Sequence, residues 1–223
     1  MNKEPNPNKT AEIKFWLSQI FDKLKHVKTI EELNSLEKLI PPKKRMKSDN
    51  LHEIAFSIIP DEIDLLRENG LMNDDFTFPT DISARLTDPI TKLLFAISWK
   101  NRDLNKIKHI VYGIYNSKQN NIIGGDAIVF RQFGKFIANK NKNPIIDQHV
   151  IRAYLSFEAK DDDEFLKAQK LNVIKKKHSK IVSEYIDWLE SEFFKNELKN
   201  DPKFKYYVDK LLFGIGKCLK IKH

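Results

Sequence analysis

DAIVFRQFGKFIANKNKNPIIDQHVIRAYL, residues 126–155, decides the fold. Its first half places Val129, Phe130, Phe133, Phe136 and Ile137 at spacings of three and four, the period of one helical face. Asn139 to Pro144 interrupts that period with polar residues and a proline. It resumes with Val150, Ile151, Tyr154 and Leu155. The stretch therefore reads as two amphipathic helices around a polar break, with Asp126 expected to cap the first and Asp147 the second.

The same period extends in both directions, and an all-α, multi-helix fold is expected. Towards the N-terminus one helix carries Leu104, Ile107, Val111 and Ile114, and another carries Ile90, Leu93, Leu94 and Ile97, each expected to be buried on one face. Short helices are expected over 51–59 and 61–68, with Gly70 as a stop and a loop through Phe76, Phe78 and Pro79. Thr10 is placed to cap a first helix bearing Ile13, Trp16, Leu17, Ile20, Phe21 and Leu24, after a polar arm over residues 1–9. A second helix is expected from about Thr29 to Ile40. Towards the C-terminus the pattern predicts one helix over 174–198, on a stripe of Ile181, Val182, Tyr185, Trp188 and Leu189. A last helix over 204–219 follows.

Pro41-Pro42-Lys43-Lys44-Arg45-Met46-Lys47-Ser48 cannot continue a helix and is strongly basic, so it reads as a linker. The division expected from it is an N-terminal helical pair with basic linker over 1–48 and a helical core over 49–223. Glycine is scarce, at seven residues, and no alternating strand pattern appears. An apolar share of 41% with 15 Phe is that of a folding chain. A formal net charge of +8 suits a polyanionic partner. Only six of the 39 basic residues are arginine, the better phosphate fork, which weakens that indication.

Cys218 is the only cysteine, and the N-terminus has no apolar signal-like run, so a cytoplasmic location is the expectation. No window has the ~18 uninterrupted apolar residues of a membrane span, and no membrane partner is expected. The six histidines are scattered and no second cysteine exists, so neither a metal site nor a cofactor is expected. Asp161-Asp162-Asp163-Glu164 lacks the alternating ligands and glycine of a calcium loop and reads as a solvated helix start. Gly124-Gly125 is followed by neither a Walker nor a dinucleotide pattern.

Asp147 stands between an extended Ile145-Ile146 pair and an amphipathic helix, where an ordinary cap suffices to explain it. Yet Ile146-Asp147-Gln148-His149-Val150-Ile151-Arg152 also resembles the apolar-Asp-x-His-Val-x-Arg motif of the helix-hairpin-helix DNA glycosylases. The resemblance covers the segment 122–157, where a glycine turn enters a helix, a loop follows, and the aspartate opens the next helix. It implies the two-lobed architecture of that family, double-stranded DNA as partner, and Asp147 as the catalytic carboxylate. It also implies that the backbone at Gly124 and Gly125 holds a phosphate, with His149, Arg152 and Lys135 as further DNA contacts. Trp99, Phe130 and Gln132 lie near the relevant helix ends and are the pocket candidates for an extruded base.

The hairpin departs from the family pattern, having Ile122-Ile123-Gly124-Gly125-Asp126-Ala127 without the proline, the spaced glycines or the lyase lysine. That departure directs the expectation to base excision by hydrolysis rather than through a Schiff base. It leaves a non-catalytic helical scaffold that binds DNA or protein as the alternative, and an unrelated helical interaction protein as a third.

Overall fold

In the computed structural model, residues 7–46, 54–118 and 126–221 are described. Among them every regular element is a helix or a short 3-10 turn, and no strand occurs. The chain divides into two compact units: Met1–His52 joins Pro144–His223 in one, and Glu53–Asn143 makes the other. The second unit is thus an insertion within the first.

The discontinuous unit contains α1 (Pro7–His26), α2 (Ile30–Ser35), α8 (Gln148–Glu158), α9 (Asp162–Gln169), α10 (Ser179–Glu190), α11 (Asn196–Lys199) and α12 (Phe204–Leu219). Helix α1 begins at Pro7, so Thr10 lies inside it rather than capping it; proline's fixed φ suits a first helical turn. Leu17, Ile20, Phe21 and Leu24 form its buried face. Thr29 caps α2 in a reciprocal box, its Oγ1 accepting from Glu32 N at 3.2 Å while Glu32 Oε2 accepts from Thr29 N at 3.4 Å. The expected continuation to Ile40 tightens into a 3-10 turn over Leu36–Leu39.

The helix expected over 174–198 is divided. Lys176–His178 is a 3-10 turn, and α10 stops where the Ser191 hydroxyl turns back to the Trp188 carbonyl at 2.7 Å. Asp161 caps α9, accepting from Glu164 N at 2.8 Å, as expected of a solvated helix start. Around this frame lies an aromatic core: Phe21 stacks on Phe157 at 4.0 Å, Tyr154 meets Tyr185 at 5.4 Å, and Trp188 meets Phe194 at 4.8 Å.

The inserted unit contains α3 (Pro60–Glu68), α4 (Ile82–Arg85), α5 (Pro89–Lys100), α6 (Leu104–Tyr115) and α7 (Ile128–Ala138). Of the helix expected over 51–59, residues 51–53 lie outside the described residues. Residues 54–59 are not helical, and Ile59 is extended because the following proline disfavours a helical residue before it. Gly70 ends α3 with φ +66°, as its position in the sequence suggests. Helices α6 and α7 approach backbone to backbone: a Cβ on Gly113 would collide with the Arg131 carbonyl, and one on Gly134 with the Ile110 carbonyl. Arg131 lies over the Tyr112 ring at 4.2 Å beside this crossing.

Two further expectations fail in this unit. Asp126 does not cap α7: Ala127, at φ 61°, occupies the cap position, so Asp126 stands one residue too early to reach the first turn. The second failure is α5, which has no buried residue and whose Ile90, Leu93, Leu94 and Ile97 face outward; only Phe95 and Ser98 are half-buried. Helix α6 keeps the expected buried face through Val111 and Ile114.

Candidate functional site

Pro144, Ile145 and Ile146 lead from the boundary of the two units into α8, and two anchors hold them. Ile146 is buried, and the Ile145 N–H donates to Asp209 Oδ2 at 2.7 Å. Asp209 projects from α12, and its other oxygen accepts from the Tyr185 hydroxyl of α10. Burial pushes the Asp209 carboxyl well above the carboxylate range, with nearby Asp147 adding to the effect; the bonds from Tyr185 and Ile145 act the other way. Tyr185 is likewise raised well above the ordinary phenol by burial and by Asp209.

At the end of this anchored strand-like segment, Asp147 is the N-cap of α8, with φ −136° and ψ 175°. Its Oδ1 accepts from His149 N at 2.6 Å and Val150 N at 2.9 Å, satisfying two of the free N–H groups of the first turn. No hydrogen bond reaches its Oδ2 from the described residues. The residue is half-buried, and only Oδ1 is fixed by these bonds.

His149 and Arg152 follow on the same helix and meet each other. Arg152 Nη1 lies 2.7 Å from His149 Nδ1. A guanidinium can only donate, so Nδ1 accepts and the imidazole carries its proton on Nε2. Burial, then Arg152, Lys217 and Lys220, lowers the His149 pKa against the pull of Asp147, in keeping with a neutral ring. Phe213 of α12 meets that ring edge-on at 5.0 Å.

Arg152 itself is 0% exposed. Its Nη1 also donates to the Gly216 carbonyl at 2.7 Å, and its Nη2 to the Leu171 carbonyl. Burial lowers its pKa and Asp147 raises it, but a guanidinium stays charged. The cation thus ties α8 to α12 and to the segment after α9. Gly216 permits this arrangement, because any Cβ there would overlap the His149 carbonyl.

The motif residues Asp147, His149 and Arg152 are therefore brought together: Asp147 Oδ2 takes no hydrogen bond from the described residues, and the Arg152 Nε, also without a partner, is buried. Arg152, expected at a phosphate, is spent inside the fold. Gly124 and Gly125 lie outside the described residues. Within the inserted unit, Lys135 of α7 is half-buried and its amino pKa is lowered by that burial. Trp99 lines a cavity of about 350 Å³ with Phe78, Phe95, Leu104, Asn105 and Lys108, whereas Phe130 and Gln132 do not line it. Phe130 instead lies under Lys106 at 5.3 Å, and Gln132 is fully buried.

Sequence reasoning did not single out Asp209, although a signal exists. It falls in one line with Lys205, Leu212 and Gly216, a second stripe beside the apolar one, and on a helix this apolar an acid in such a line is a candidate for burial. Among the described residues no group of three His, Cys, Asp or Glu is placed to hold a metal ion. No helix there is long and apolar enough to cross a membrane. Comparison with protein families, with curated proteins and with solved structures finds no match to this chain.

Proposed function

We propose that this chain is a DNA-binding protein of the helix-hairpin-helix glycosylase type that excises a base by hydrolysis, with Asp147 as the catalytic carboxylate. The observation that carries the reading is the Asp147 carboxylate itself: on this half-buried residue Oδ1 is pinned by two backbone N–H groups while Oδ2 takes no hydrogen bond from the described residues. A carboxylate fixed in this way is preorganised to face a developing cation without reorienting.

The chemistry follows from the charge. As the C1′–N bond of a nucleotide breaks, the electron pair leaves with the base and the sugar takes on oxocarbenium character. Asp147 stabilises that charge and accepts a proton from the attacking water, whose oxygen bonds to C1′. The departing base takes up a proton, and the products are an abasic sugar and a free base. Further support comes from chain order: one unit is inserted in the other, and Asp147 follows closely on the return crossing at Pro144.

A second reading has its own observation. Asp147 is a complete cap and Arg152 a buried tie, so the motif is also explained by the scaffold alone, binding DNA or protein without catalysis. Asp147→Asn separates the two. Asn caps about as well as Asp, so stability changes little in either case. For an enzyme, single-turnover excision on duplexes carrying uracil, oxidised guanine, alkylated adenine or mismatched adenine falls by orders of magnitude, with binding retained. Excision that persists undiminished in Asp147→Asn refutes the catalytic role, and the absence of excision by wild type on all four substrates favours the scaffold.

A further inference from the structure

Helix α5 is apolar on two sides at once. Phe95 points inward, its ring 6.4 Å from Phe78, while Ile90, Leu93, Leu94 and Ile97 are exposed by 69%, 62%, 59% and 50%. At 100° per residue those four lie within an arc about 100° wide, the stripe a helix normally turns to a core. Exposed side chains scattered singly need no explanation, but a contiguous stripe on one helix marks an interaction surface.

We propose that α5 is the homodimerisation helix of this protein, pairing antiparallel with α5 of a second copy across a two-fold axis between Leu93 and Leu94. Three features favour a second copy as occupant. The stripe is symmetric about its own centre, so an antiparallel copy sets Ile90 against Ile97 and Leu93 against Leu94, the self-complementarity that a two-fold interface requires. No charged residue lies within the stripe, so two copies can meet there without burying a charge. Covering four such side chains and their surroundings on each copy removes on the order of 1,000 Å² in all, the lower bound for a specific interface. An interface at the low end of that size range suits a weak, reversible dimer, expected at concentrations on the order of micromolar.

Sedimentation equilibrium of the full chain from about 1 to 100 µM tests it. Wild type is expected to shift from monomer to dimer across that range. The combined Leu93→Glu and Leu94→Glu variant is expected to weaken association at least about tenfold, and Lys92→Glu, on the far side of the helix, to leave it unchanged. Because the two leucines are exposed in the monomer, the double variant should unfold at the wild-type temperature at the lowest concentration. A wild type monomeric throughout overturns the proposal, as does a dimer indifferent to the double variant. A double variant that is less stable as a monomer also overturns it, since the stripe is then covered within one chain.

Discussion

A carboxyl on the inner side of the last helix has to be satisfied by protein groups, and Asp209 takes the Ile145 N–H and the Tyr185 hydroxyl. Its raised pKa means that the folded protein holds a proton that the unfolded chain, near 3.8, has already released. The stability tied to that proton is complete below the unfolded value and is lost as pH rises through the folded one. Asp209→Asn stays neutral throughout. Thermal unfolding followed upward from pH 4 should therefore show wild type losing stability relative to Asp209→Asn, and parallel pH profiles would refute the assignment. Composition and period reveal such a residue poorly, because its burial depends on which of two neighbouring stripes of α12 meets α8. The opposite holds for Asp147, whose position before an apolar-periodic run is a local signal and whose capping role was legible. Arg152 was legible as a motif member but not as a buried tie, since its partners are carbonyls at Leu171 and Gly216, far along the chain.

Helix pairs in this protein are set by backbone proximity as much as by side chains. Gly134 of α7 abuts the Ile110 carbonyl of α6, and Gly216 of α12 abuts the His149 carbonyl of α8. In an isolated helix Gly→Ala stabilises by about 1 kcal/mol. Here the added Cβ meets backbone that cannot rotate away, so Gly134→Ala and Gly216→Ala should each cost about 2 kcal/mol or more in urea unfolding. A gain in stability at either position would show that the helices are not in such close approach. The period placed α6, α8 and α12 well, because each buries one apolar face within its own unit. It overran at 174–198, where Ser191 interrupts the backbone although the apolar spacing continues. It misplaced the burial of α5, because a period tells which face is apolar and says nothing of whether this chain supplies the cover.

For the molecule as a whole, the charge of +8 is carried largely by lysine, whose contacts to phosphate act as point charges. Duplex DNA should bind in the micromolar range at low salt, with log K falling by about 0.9 per neutralised phosphate for each tenfold rise in salt. Titration of a labelled duplex at two salt concentrations measures this, and no binding at low salt would count against both DNA-linked readings. Fold class was legible because one period runs through nearly the whole sequence. The division into units was less so, since it depends on which distant segments share a core. That division has a consequence for synthesis on the ribosome. Residues 53–143 emerge as an uninterrupted run, whereas Phe21 of α1 must wait for Phe157 of α8 and Trp188 of α10, the partners that cover it. At about 5–20 residues per second the delay is roughly 8–30 s, and for that time the nascent N-terminal helix is a client for whatever shields apolar surface in the cell.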